Sequence, residues 1–241
     1  GNNPGGVLRL GSVSVRIGEH GTTWEEIHRA STSEQRERPL RLYCDDFREM
    51  ASLAAAPAGD GRLTAELRGF VQAIAEQLAA APCGDLVLYV HGTKVSLYRS
   101  AVRAGQLVHF PGRDHVGVVF DWPSHQSILS DVLGPDHARA RAAAPPLATL
   151  LAFLAEHTAA RQIHVVCYSA GAIATASAVA ALRERNESLG PDDLQRRYRL
   201  GTVFFAAGDV PLEEFLRELP AIHDMAERVM VSASDADRAL S

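Results

Sequence analysis

No stretch of this sequence is apolar for long enough to cross a bilayer as a helix, which takes about 20 consecutive residues. Cysteine is scarce: Cys44, Cys83 and Cys167 are the three present, far apart and without metal-ligand spacing. They provide neither a zinc motif nor an even disulfide framework, so one bridge is the most they could form. Positive charge is not in excess. Lys and Arg number 24 against 29 Asp and Glu, the net charge is −5, and the two signs are intermingled. That balance argues against nucleic acid as the main partner. Internal repeats and low-complexity tracts are lacking too. The sequence begins Gly1-Asn2-Asn3-Pro4-Gly5-Gly6 without an initiating methionine. A processed chain or a piece of a longer one is expected, any targeting peptide would already be gone, and the compartment stays open.

What is present is a globular composition, 46% hydrophobic and 22% charged over 241 residues. One sizeable domain over residues 1–241 is expected rather than two. Its organising stretch is Ile163-His164-Val165-Val166-Cys167-Tyr168-Ser169-Ala170-Gly171-Ala172. An apolar strand runs into Ser169, and the small residues Ala170, Gly171, Ala172, Ala174, Ala176 and Ala178 open a helix. This is the pattern of a nucleophile elbow, a serine on a sharp strand-to-helix turn with the helix N-terminus facing the site. The usual form is G-x-S-x-G, and here Cys167 stands in place of the first glycine. A serine N-cap on an ordinary crossover helix would leave a similar trace.

Upstream, Val7 to Ile17 alternates apolar and polar residues around Gly11 and reads as a half-exposed strand or hairpin. Thr22 or Thr23 caps a short helix through Trp24 and Ile27, Ser31 to Pro39 is a loop, and Leu40 to Cys44 is a strand. Pro57, Gly59 and Gly61 punctuate the chain before an amphipathic helix with Leu63, Leu67, Val71, Ile74 and Leu78 on one face. Residues 1–84 are thus N-terminal strands and a helix that extend the core, cover the site or mediate assembly.

From Asp85 strands and helices alternate, the signature of a mostly parallel sheet. The predicted strands are Leu86 to Val90, Val116 to Phe120, Gln162 to Tyr168, Leu200 to Ala206 and Arg228 to Ser234, taken to run through the sheet in that order. Helices are predicted after His91-Gly92-Thr93 to about His109, over Asp136 to Ala160 with an interruption at Pro145-Pro146, and over Pro211 to Leu219. Functional groups in such sheets gather beyond the carboxyl ends of the strands. Four stretches meet that condition: His91-Gly92-Thr93-Lys94, Asp121-Trp122-Pro123-Ser124, Ser169, and Asp235-Ala236-Asp237.

Together these stretches resemble an α/β hydrolase. More narrowly, Tyr89-Val90-His91-Gly92, Phe120 to Ser124, Ile163 to Gly171, Ala206-Ala207-Gly208-Asp209 with Phe215, and Ser234 to Ser241 resemble the bacterial α/β-hydrolase family long catalogued as a domain of unknown function (DUF900-like). The resemblance covers Asp85 to Ser241. It implies a layered α/β-hydrolase-like fold, with a mostly parallel sheet flanked by helices and residues 85–241 as the catalytic core. The sequence departs from the family at Tyr168 and Ala170, where histidine and methionine are usual, and at Thr93, where a tyrosine or similar residue follows His-Gly.

Within that reading Ser169 is the nucleophile, and it needs a base held by an acid. The acid follows a later strand in the chain order serine, acid, histidine. Asp237 matches the family's D-x-A-L aspartate and is the preferred choice, with Asp235 as its substitute. Asp209 is read as the cap of the helix that begins at Pro211. The backbone N–H groups of Ala170 and Thr93, or of Lys94 in place of Thr93, form the oxyanion hole. His91, Trp122 and Tyr168 line the pocket, with His91 shaping the turn rather than acting as base. No metal and no cofactor are expected.

The base is missing. The sequence holds ten histidines, and none follows Asp237. His223 falls at the wrong edge of the sheet, His164 is structural, and His125 is a distant fallback. The expectation is a further strand and a histidine beyond Ser241, so that the present chain lacks its last strand and leaves an open edge through which copies could associate. The expected function is a serine hydrolase that cleaves a small carboxylic ester through an acyl-enzyme on Ser169. The alternatives are an acyltransferase using the same site and a catalytically impaired binding module of the same fold.

Overall fold

Alternation of apolar and polar residues makes Val7–Ile17 a strand, β1, which pairs antiparallel with the strand β2, Leu42–Ala54. In the computed structural model the described residues are 7–33, 40–54, 63–124 and 134–232. β2 is longer than the predicted Leu40 to Cys44, and the pair forms a sheet of its own rather than extending the larger one. Register shifts after Leu10 and after Ser12 bend the pair. Leu10 and Ala51 are buried and join the main core. Between the strands lies α1, Trp24–Thr32. Thr23 accepts the Glu26 N–H, and Glu26 accepts the Thr23 N–H at 2.8 Å, a reciprocal cap that satisfies two otherwise unpaired donors. Helix α2, Ala65–Ala80, is capped by Thr64 and buries Leu67, Phe70, Ile74 and Leu78.

The alternation that follows is β3 (Asp85–Val90), α3 (Leu97–His109), β4 (His115–Phe120), α4 (Gly134–His157), β5 (Ile163–Tyr168), α5 (Gly171–Glu184), α6 (Pro191–Tyr198), β6 (Leu200–Ala206), α7 (Leu212–Met225) and β7 (Ala226–Ser232). All four neighbouring pairs in the large sheet are parallel. Spatial order is β4-β3-β5-β6-β7, which corrects the simple sequential order expected. The chain winds one way from β3 to β4, crosses back over β3, and winds the other way from β5 to β7. The reversal between β3 and β5 opens a crevice at their carboxyl ends, the place where such sheets hold their ligands. One face of the central strands is deeply buried, through Leu86, Leu88, Val90, Ile163, Val165, Cys167, Val203 and Phe205, while Val87, Val166 and Phe204 on the other face are half-buried beneath helices.

Two further expectations are corrected. α4 continues unbroken through Pro145 and Pro146. Each proline removes one backbone donor, but Leu147, Ala148, Leu151 and Leu154 are fully buried and α4 packs along α5. Burial of that face outweighs the lost hydrogen bonds. Helix α6 is additional to the predicted elements, and Gly190-Pro191-Asp192-Asp193 is its start signal, proline in the first turn with acidic neighbours. Arg199 ends α6 in the left-handed conformation and donates to Ala160 O at 2.9 Å and Thr158 O at 3.2 Å, satisfying carbonyls that follow α4.

α5 also packs against α7, where Ser177 Oγ donates to Glu218 Oε1 at 3.1 Å. Glu218 Oε2 is buried without a partner among the described residues, and burial pushes this carboxyl above its usual range. A folded-state pKa above the unfolded one means that ionisation weakens the fold. The penalty is absent below the unfolded value of about 4.3 and complete above the folded one. Glu218→Gln is therefore expected to melt at a higher temperature than the parent at pH 7, with the gap closing as pH falls through the carboxylate range. Parallel melting curves across that range would contradict it.

Candidate active site

Ser169 sits directly between β5 and α5 with φ of 51°. This is the left-handed region that a side chain rarely adopts, at a cost of about 1–3 kcal/mol. The surroundings hold it there. The Ser169 N–H donates to Ala206 O at 3.2 Å, while its carbonyl accepts from Ala172 N at 2.9 Å and Asp209 N at 3.2 Å. The turn is thereby tied to β6, to its own helix and to the loop after β6. The serine side chain is left partly exposed at the carboxyl edge of the sheet.

Two glycines let neighbouring backbone close in on the turn. A Cβ on Gly171 would lie 2.6 Å from both His91 O and Val90 O, and one on Gly92 would lie 2.8 Å from Ser169 Cβ and 3.3 Å from Ser169 Oγ. The N-terminus of α5 therefore rests on the end of β3, and the loop after β3 rests on the serine. The position two before the serine has no such demand. Cys167 points into the core, fully buried, with its thiol 3.3 Å from Phe204 O. Burial pushes that thiol up to about 12, so it stays protonated and inert.

Ala170 is the fully buried N-cap of α5. Its N–H and that of Thr93, in the loop after β3, have no acceptor among the described residues. His91 and Trp122 are packed together beneath this loop, 0% and 2% exposed, rather than lining open space. Their rings stack at 5.2 Å and 3°. Trp122 Nε1 donates to His91 O at 2.7 Å, the Trp122 N–H reaches His91 Nε2 at 3.1 Å, and His91 Nδ1 lies 2.7 Å from Gly92 O. A neutral ring with its proton on Nδ1 satisfies both backbone groups. Asp121 Oδ1 stands 3.1 Å from Nε2. Tyr168 is 40% exposed beside the serine, with the Arg103 guanidinium 5.2 Å from its ring centre.

Asp237, Asp235 and His125 lie outside the described residues. Asp209 does not cap α7: the N-cap is Pro211, without a side-chain hydrogen bond. Its carboxylate instead meets His137 Nε2 at 3.1 Å, with both side chains largely buried. His137 belongs to the first turn of α4, far from Asp209 in sequence, and no local pattern announces the pair. His164 Nδ1 accepts the Thr202 N–H at 3.0 Å. His223 is exposed near the C-terminal end of α7, at the opposite edge of the sheet.

A parallel sheet that reverses its winding at β3 and β5, with a strained serine turn on one side and a glycine-backed loop on the other, is built as α/β hydrolases are. Over residues 68–241 the sequence matches the family model described as an alpha/beta hydrolase of unknown function (DUF900), and the chain belongs to that family. No curated protein matches the sequence. No helix among the described residues is long and apolar enough to cross a membrane.

The glycine contacts can be tested through stability. Gly171→Ala places a methyl group 2.6 Å from two backbone carbonyls, and overpacking of this kind costs about 1–3 kcal/mol. The urea midpoint should fall accordingly. An unchanged midpoint would rule out the close approach of α5 to β3.

Proposed function

We propose that the protein is a serine hydrolase of carboxylic esters, and the left-handed Ser169 at the β5–α5 turn is the observation that carries this reading. Ser169 Oγ attacks the ester carbonyl and its proton passes to a base. The developing oxyanion is received by the Ala170 and Thr93 N–H groups, assisted by the α5 N-terminus. The tetrahedral species collapses to an acyl-enzyme as the alcohol leaves with the proton. Water then repeats the sequence and releases the acid. An alcohol or amine in place of that water would make the same site an acyltransferase. The substrate is a small ester. β7 ends the described sheet with Met230 and Val231 exposed, and it is the edge through which we propose that copies associate.

Asp237, which follows β7 in the chain, is the proposed acid, orienting a histidine base. A second reading places the base within this chain. The His137–Asp209 pair brings an imidazole and a carboxylate together, and Asp209 is itself hydrogen-bonded through its backbone to Ser169.

Ser169→Ala is expected to abolish hydrolysis of p-nitrophenyl esters while the fold persists, a loss on the order of a million-fold in kcat. A fluorophosphonate should label the parent and leave this variant unlabelled. Activity retained within about tenfold would remove Ser169 from the mechanism. His137→Ala tests the second reading. A loss rivalling that of Ser169→Ala would support His137 as the base, whereas a small loss with labelling intact excludes it.

A further inference from the structure

The opposite end of the sheet carries a cluster that the hydrolase site does not use. Cys83 precedes β3, Asp85 opens it, and His115 opens the adjacent strand β4, directly across from Asp85 in the register. Cys83 lies in the turn that leads into β3, and Gly84 at φ +65° redirects the chain so that the turn brings the Cys83 side chain beside that of Asp85. The Cys83 N–H donates to Asp114 O at 3.1 Å, which anchors the segment to the start of β4. As a result one ligand atom from each of Cys83, Asp85 and His115 lies within 4.8 Å of the other two.

We propose that Cys83, Asp85 and His115 form a divalent transition-metal site, suited to zinc, that ties the edge strand β4 to β3. Thiolate, imidazole and carboxylate together are a donor set for zinc, while magnesium and calcium prefer oxygen alone. The donors are free to bind. Among the described residues neither the Cys83 thiol nor the His115 ring nitrogens have a hydrogen-bond partner. The carboxylate is already oriented, since Asp85 Oδ1 accepts the Gln162 N–H at 3.1 Å.

His164 supports this site without being a ligand. Its Nδ1 accepts the Thr202 N–H at 3.0 Å, so in the neutral ring the proton sits on Nε2. That nitrogen stands 3.6 Å from Asp85 Oδ2, just beyond hydrogen-bond distance, so a small approach of the two would let it support a metal-bound carboxylate. The ion would take three protein ligands, with water completing the tetrahedron. Binding forms a metal–sulfur bond and releases the Cys83 proton to solvent. The site lies at the amino end of β3, about 17 Å along the strand from the loop beside Ser169. It therefore stands apart from the chemistry at Ser169.

The test uses the full chain, stripped with a chelator and titrated with Co2+ and then Zn2+. Cobalt should give a thiolate-to-metal charge-transfer band at one equivalent, bleached by zinc. Cys83→Ser should abolish the band, while Cys44→Ser, which alters the other half-buried cysteine, should leave it unchanged. His115→Ala should weaken zinc binding by at least about tenfold, and His164→Gln by about tenfold. Zinc should also raise the melting temperature of the parent but not of Cys83→Ser. Absence of the band in the parent, or a band that survives Cys83→Ser, would overturn the proposal.

Discussion

The structure depends on one close approach, the meeting of three backbone segments around Ser169. The serine adopts a left-handed turn, the end of β3 lies against the start of α5, and the loop after β3 lies against the serine side chain. Neither contact has room for a Cβ at Gly171 or Gly92. A turn of this kind is unfavourable alone and persists only where its surroundings over-determine it. Here it is held from three sides, by Ala206 O, by the Ala172 N–H within its own helix and by the Asp209 N–H.

The surrounding scaffold is polar where it must be and apolar elsewhere. His91 and Trp122 are buried under the loop after β3, yet the polar groups quoted above find partners in each other or in neighbouring backbone. An unpaired group at such depth would cost about 1–3 kcal/mol, so the stacked pair fixes the loop in one conformation. On the far side the His137–Asp209 contact joins α4 to the loop after β6, and Arg141 reinforces the junction through Glu214 Oε1 at 3.0 Å. The helix that leaves the elbow, α5, is in turn packed between α4 and α7.

The two ends of the sheet present different side chains for a topological reason. At the carboxyl ends the winding reverses, loops diverge, and a helix N-terminus faces the gap, conditions that favour developing negative charge. At the amino ends the chain enters adjacent strands side by side. Residues that open those strands are then brought into contact, as Asp85 and His115 are.

Much of this was legible in the sequence because its signals are local. The period of two in Val7 to Ile17, the apolar runs ending at Val90, Phe120 and Tyr168, and the small residues after Ser169 each specify an element within a few residues of chain. So does the Thr23–Glu26 cap. Other features depended on which elements meet in space. The order β4-β3-β5, the unbroken α4 across Pro145 and Pro146, and the partners of Asp209 and Cys83 belong to this second group. Asp209 follows a strand and precedes a proline, which locally reads as a cap, but α4 delivers His137 to it. Cys83 shows no metal-ligand spacing because its neighbour His115 arrives from a parallel strand, one whole helix later in the chain. The sequence by itself determined the elements and the elbow, since periodicity and turn chemistry act over a few bonds. Tertiary structure decided the strand order and the side-chain pairs, because these rest on packing between segments whose separation along the chain carries no trace of it.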